Sequence, residues 1–386
     1  MRRELLIALG FALAMPVLQA RADSVAYQID AAHDGHASFP DGFSAPLKLK
    51  WTRNLEGSVS YPLIAKGIVF VTVDGPKKGE SQLTALSLQT GETLWQQTIA
   101  GGLVTASNLA YDNGRVFVLN SGGMLWAFAA DNTGRLLWTS HTLPGAFTPP
   151  VAANGLVYVN AGDSGIVLFA IDEQTGKIIW QKSDGYGSNS EPVLGEDGVY
   201  EAYVCSYRKY DAAKGKLIWR DQLPCSGGGI DYPVYYGNRL YFHSGGPLNA
   251  VILNATSGKI TGSLSSGTAV IWQSSTSPEY RVLTYDDGAL ISFSPGNGNI
   301  DWRFKGSGNF PVAPIVINDL VAVASNAGKK GKLVLLDAKT GKPVWSQTLG
   351  GPMIEDDFPY SPTPGLAASD GYLLVPSSNL LTAFGQ

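Results

Sequence analysis

Two cysteines and four histidines are all that 386 residues offer for thiol or imidazole chemistry, and charged residues make up only 16% of the chain. With a net charge of −4 and no cluster of Lys and Arg, the chain has no electrostatic footprint for nucleic acid. Lys329, Lys330 and Lys332 sit together but read as a polar hairpin tip. The two cysteines are Cys205 and Cys225, twenty positions apart, so no adjacent cysteine pair exists. No apolar run outside the N-terminus is long enough for a membrane span.

The N-terminus is the exception. Met1-Arg2-Arg3 precedes an apolar run over 5–18 interrupted only by Gly10 and Pro16, and Ala20-Arg21-Ala22 forms an A-x-A site. This pattern predicts a secretory signal peptide over 1–22, cleaved before Asp23. No cysteine lies near that site, so a lipid anchor is not expected, and the mature chain is expected in the periplasm or outside the cell.

What the chain has in quantity is glycine, at 46 residues, and a repeat. Ala170-Ile171-Asp172-Glu173-Gln174-Thr175-Gly176-Lys177-Ile178-Ile179-Trp180 is its clearest copy. A Gly four residues before a Trp recurs at Trp95, Trp138, Trp180, Trp219, Trp302 and Trp345. A further copy over 254–262 keeps Gly258-Lys259 but ends in Gly262, and Trp51 stands one period upstream. The steps from Trp51 are 44, 43, 42, 39, 43, 40 and 43 residues, the period of a repeat architecture. Within a copy, short apolar and β-branched runs flank Gly-containing turns, which predicts antiparallel hairpins. Four strands per repeat, a to d, with a recurrent aromatic is the pattern of a propeller blade.

The frame A-x-D-x-x-T-G-K-x-x-W resembles the tryptophan-docking repeat of the quinoprotein-like (PQQ-repeat) propellers. That family includes the pyrroloquinoline quinone (PQQ) alcohol dehydrogenases and the propeller lipoprotein of the outer-membrane β-barrel assembly machine. The resemblance implies an all-β, eight-bladed β-propeller of four-stranded antiparallel blades. In it Trp51, Trp95, Trp138, Trp180, Trp219, Trp302 and Trp345 dock neighbouring blades. Residues 47–52 alternate as an isolated strand d, whereas the C-terminal run stops after strand c, so an N-terminal strand is expected to close the ring. Residues 23–46 read as an extended polar lead-in along the surface, and 47–386 as a single domain.

In such a meander the d-to-a and b-to-c connections share one face, and variety concentrates there. Cys205 and Cys225 both fall on it, on adjacent blades. A disulfide is expected, worth about 3 kcal/mol in the chain-entropy model; free thiols and redox or metal chemistry are the alternatives. The same face carries the candidate binding residues Tyr61, Glu191, Asp231, Tyr232, Trp272, Glu355, Asp356, Asp357, Phe358 and Tyr360, with Phe147, Tyr186 and Phe310 as further aromatics. Tyr61-Pro62, Glu191-Pro192 and Tyr232-Pro233 place a proline at the first residue of a strand, where its missing N–H is tolerated. For each aromatic, packing between blades is the competing reading.

Several local patterns carry no chemistry. Gly162-Asp163-Ser164-Gly165 lacks the His and Asp partners of a hydrolase. Asp286-Asp287-Gly288 reads as a hairpin turn. His33 and His36 with Asp34 would make only a weak metal site in a polar lead-in, and His141 and His243 are isolated. The dehydrogenase resemblance implies an adjacent-cysteine disulfide, a Trp platform, a calcium held by carboxylate and amide groups, and an Asp base. The cysteine pair is missing, although Glu355-Asp356-Asp357 could begin a calcium site. The reading is therefore a secreted, monomeric, non-catalytic binding or scaffold protein with no cofactor and an envelope or secreted protein as partner. The alternative is a PQQ- and calcium-dependent oxidoreductase.

Overall fold

The computed structural model describes residues 23–386 except 105–106, 141–142, 147, 163–166, 184–189, 197, 204–205, 223–232, 244–249, 265–269, 274–279, 295–298 and 356–361. The described residues form 33 strands and no helix. These make eight four-stranded antiparallel sheets in a ring, one of them carrying an extra fifth strand: an eight-bladed β-propeller. Blade one runs outward through Leu63–Ala65, Ile68–Asp74, Ser81–Ser87 and Thr93–Ile99. Blades two to seven follow in chain order. Blade eight takes Ala367–Ser369, Tyr372–Ser377 and Leu380–Gly385 from the C-terminus and Lys48–Asn54 as its outer strand, which is the expected ring closure. The short a strands neighbour one another and line the axial channel.

The repeat motif does one job at each seam between blades. Every c–d pair carries a register shift beside the Trp position, a bulge that turns the side chain toward the next blade. Six indole N–H groups, from Trp51, Trp95, Trp138, Trp180, Trp219 and Trp302, donate at 2.6–2.9 Å to a backbone carbonyl in the next blade's c–d turn. Each ring lies on the turn glycine: a Cβ on Gly91, Gly134, Gly176, Gly215, Gly258 or Gly341 would stand 2.3–2.7 Å from it. Trp345 has no such turn to meet, because the last c–d connection is where the chain ends join, and it packs edge-on against Phe384 at 5.6 Å. The apolar core divides accordingly into eight clusters, one per seam.

The lead-in departs from its expected course along the surface. Ala26, Tyr27, Ile29, His33 and Ala37 are buried, and residues 24–37 thread the channel at the end where the a–b turns lie. His36–Ala37 adds a parallel strand to Ile315–Ile317 of blade seven. The physical reason is a surplus of backbone donors. The inner edge of each a strand faces the axis, and the amides of Ile64, Tyr111, Leu194, Tyr235 and Val316 donate to carbonyls of Ser24, Val25, Ala31, Ala32 and Gly35. Buried amides without such partners would be costly. The turn Asp286-Asp287-Gly288 closes as a two-residue hairpin, as expected.

Two glycine substitutions separate the Trp seat from backbone strain. Gly155 (φ 84°) and Gly176 (φ 71°) both occupy left-handed backbone, so alanine costs about 1 kcal/mol at either. Only at Gly176 would the new Cβ meet an indole, Trp138, at 2.6 Å; nothing lies within 4 Å at Gly155. Gly176→Ala should therefore lose a further 1–3 kcal/mol or so, read from urea midpoints at equal m-value.

Candidate functional site in the axial channel

Two of the residues that precede a strand-opening proline, Tyr61 and Glu191, point inward. Ser60-Tyr61-Pro62 in blade one and Ser190-Glu191-Pro192 in blade four share one local geometry: the serine Oγ donates to the next residue's carbonyl, at 3.0 and 3.2 Å. That fixes the X-Pro step and aims Tyr61 and Glu191 at the lead-in. Tyr61 is 1% exposed; its hydroxyl donates to the Leu109 carbonyl (2.6 Å) and accepts from the Leu109 amide (2.7 Å). Burial pushes that phenol well above its ordinary range. Tyr61 thus ties blades one and two together rather than standing open at the mouth.

Glu191 lies with its Oε2 3.4 Å from His33 Nδ1, both side chains fully buried. Tyr27 completes the group, edge-on to Tyr61 at 5.4 Å and to His33 at 6.2 Å. His33 also meets the backbone of Pro233, and burial lowers its imidazole to about 4, so it is neutral at physiological pH. The turn beneath it is built on carboxylates. Asp30 accepts the Ala32 amide at 2.9 Å, and Asp34 accepts the His36 amide at 2.8 Å. Burial pushes Asp30 up to about 6. Asp34 is pushed up by burial and then by Asp30. His36 is lowered by burial, against the pull of Asp319.

The other candidates are dispersed. Glu355 accepts from Asn309 Nδ2 at 2.7 Å, bridging the approaches to blades seven and eight. Phe310 stacks on Tyr285 at 4.8 Å within the seam between blades six and seven. Trp272 lies on the inner strand Val270–Gln273 of blade six. Asp231, Tyr232, Asp356, Asp357, Phe358, Tyr360, Phe147, Tyr186, Cys205 and Cys225 lie outside the described residues, as does the segment 1–22 expected to be a signal peptide. Among the described residues no group of three or more His, Cys, Asp or Glu is placed to hold a metal, and no helix is long and apolar enough to cross a membrane. The sequence reading missed Tyr27 and Asp30. Their signal was the apolar and aromatic pattern Val25, Tyr27, Ile29 inside a segment whose overall composition is polar.

Comparisons with known proteins agree with the geometry. The PQQ-repeat family described as outer membrane protein assembly factor BamB matches over 44–145, 79–204, 203–361 and 286–384, which together cover the propeller. The dehydrogenase subunit of a quinone alcohol dehydrogenase from Gluconobacter oxydans (strain 621H) is 23% identical, over 87% of this chain and 48% of its own length. The chain spans half or less of the length of the curated relatives it matches. Among solved structures, a europium-containing methanol dehydrogenase aligns with TM-score 0.73 at 14% identity, covering 95% of this chain and 98% of its own. BamB from Moraxella catarrhalis aligns with TM-score 0.64 at 17% identity, covering 88% and 100%. At these identities the structural likeness concerns the fold.

The buried charges give opposite pH slopes. His33 has a folded pKa below its unfolded value, so its contribution is full above pH 6.5 and is lost as pH falls toward 4. Asp30 has a folded pKa above its unfolded value, so its contribution is full below pH 3.8 and is lost as pH rises through about 6. His33→Gln removes the first slope only. Between pH 7 and pH 4, wild type should lose about 3 kcal/mol of unfolding free energy relative to His33→Gln, measured by denaturant titration across that range.

Proposed function

This chain belongs to the PQQ-repeat propeller family described as outer membrane protein assembly factor BamB, and from that premise we propose that it is a non-catalytic binding or scaffold protein of the cell envelope. The observation that carries this reading is the lead-in seated in the channel at the end where the a–b turns lie. The lead-in occupies the axis, and its Tyr27 and His33 engage Tyr61 and Glu191, the two inward candidates that a small molecule could otherwise meet. What is left for recognition in this reading is the face of d-to-a and b-to-c connections, to which the sequence assigns Tyr232, Phe358 and Tyr360. Aromatics on a rigid scaffold suit a protein partner. In this reading the chain is exported, processed before Asp23, stapled by Cys205–Cys225, and works as a monomer on envelope proteins such as unfolded outer-membrane chains.

The competing reading is a PQQ- and calcium-dependent oxidoreductase, favoured by the similarity to a quinone alcohol dehydrogenase subunit over most of the chain. The described residues speak against that cofactor: there is no adjacent cysteine pair, Glu191 lies against a buried imidazole, and the described carboxylates do not converge on a metal position.

Calorimetric titration of the mature protein with PQQ, with and without calcium, discriminates the two. The expected result is no heat of binding, together with capture of a periplasmic partner that the double substitution Tyr232→Ala, Phe358→Ala abolishes. Micromolar, calcium-dependent binding of PQQ would replace the scaffold reading with the oxidoreductase.

A further inference from the structure

The outer strands of the eight blades meet one structural demand with different residues. Two positions precede the Trp position in each: the first pairs with strand c, and the second is the bulge residue skipped by the register. The bulge residue is Lys50 in blade eight, Thr261 in blade five and Asp301 in blade six, so the seam does not require an apolar side chain there. Blades three and four nevertheless carry exposed aliphatic side chains at both positions, as no other blade does. They are Ile178 (47% exposed) and Ile179 (52%) on Ile178–Ser183, and Leu217 (47%) and Ile218 (49%) on Leu217–Gln222. These two strands flank one seam: Trp180 donates to the Ala212 carbonyl at 2.9 Å and rests on Gly215. The four side chains therefore border the outer mouth of a single seam. Charged or proline residues guard other outer edges, as Lys50, Asp301 and Pro343 do; this pair of edges lacks that guard at both positions.

Charge accompanies the apolar pair. Lys177, Lys182, Lys214, Lys216 and Arg220 stand beside it, against the carboxylates Asp172, Asp211 and Asp221. Asp172 is engaged by its own turn, accepting the Thr175 amide at 2.8 Å and hydroxyl at 2.7 Å, and Asp211 accepts the Lys214 amide at 2.7 Å. Glu173 is buried toward Arg115, at 3.4 Å. The rim of blades three and four thus has a positive surplus on a chain of net charge −4. Protein-binding patches enrich aromatic residues, deplete lysine, and need about 20–30 residues a side for a stable contact. Four aliphatic side chains bordered by lysines have the opposite composition, and it suits a bilayer interface. Aliphatic tips enter the acyl boundary, while lysine stems lie along it and hold their ammonium groups at acidic headgroups.

We infer that the outer edge of blades three and four docks on an anionic phospholipid surface, with Ile178, Ile179, Leu217 and Ile218 entering the interface and the neighbouring lysines meeting headgroup phosphates. The ring then rests on its rim, and both of its faces stay open to partners. This contact is separate from the proposed partner face and does not depend on it.

The test is flotation of the chain from Asp23 onward with phosphatidylcholine vesicles containing about 30% phosphatidylglycerol, compared with phosphatidylcholine alone. Binding should require the anionic lipid and weaken as salt is raised. Ile179→Asp with Ile218→Asp should lower the partition coefficient about tenfold or more. Asp301 already occupies the same bulge position in blade six, so aspartate is compatible with the blade, and an unchanged urea midpoint checks that the fold is kept. Val344→Asp, at the equivalent and 48% exposed position of blade seven, should bind as wild type. Lys214→Glu with Lys216→Glu should weaken binding and flatten its salt dependence. No binding to the anionic vesicles overturns the inference, as does binding that survives Ile179→Asp with Ile218→Asp, or an equal loss in Val344→Asp. A wild-type dimer in sedimentation that the Ile179→Asp, Ile218→Asp pair splits would assign the patch to a second copy of the chain instead.

Discussion

An indole lying on a glycine of the next blade is the interaction that sets the geometry of this ring. The bulge beside the Trp position delivers the indole, the glycine leaves room for it, and the indole N–H finds a backbone carbonyl of the same turn. A Trp buries roughly 150–250 Å², worth about 4–6 kcal/mol at 25 cal/mol per Å² before entropy is counted. The hydrogen bond adds direction. Because every rung joins one blade to the next, stability is distributed seam by seam, as in other repeat proteins, and a missing rung is felt locally.

That distribution explains what could be read from the sequence. Trp and Gly at fixed spacing are local, so blade count, seam positions and the Gly262 gap were all legible without coordinates. Ring closure was legible too, because the outer strand at Trp51 and the absent fourth strand after Phe384 are complementary halves of one pattern. The place of Tyr61 and Glu191 before a strand-opening proline was legible, but it put them on an open binding face, whereas the structure turns both inward. Their partners were not legible. Tyr61 is satisfied by a backbone in blade two, and Glu191 meets a histidine more than 150 residues earlier in the chain.

The lead-in was the least legible segment for a physical reason. Composition assigns Asp30, His33 and Asp34 to solvent, because burying them costs free energy unless hydrogen bonds are supplied. The channel supplies them. Five a strands offer unpaired inner amides at equivalent positions, a demand created by the ring as a whole and visible in no single repeat. The tertiary context thereby overrides the local signal, and it leaves a buried ionisable cluster at the axis.

The same covalent piece, residues 24–54, makes the plug, the parallel strand on blade seven and the outer strand of blade eight. It hydrogen-bonds to blades one, two, four, five, seven and eight, so its seat is made by most of the ring. Its partners Val316 and Leu381 lie some three hundred residues away, the kind of separation that makes contacts form late. Closing the sheet edge of blade eight and filling the channel are therefore the work of one segment, and a change that unseats it exposes both the edge and the inner amides. With the axis given over to structure, the loops that the seams hold in place are the surface the ring leaves open.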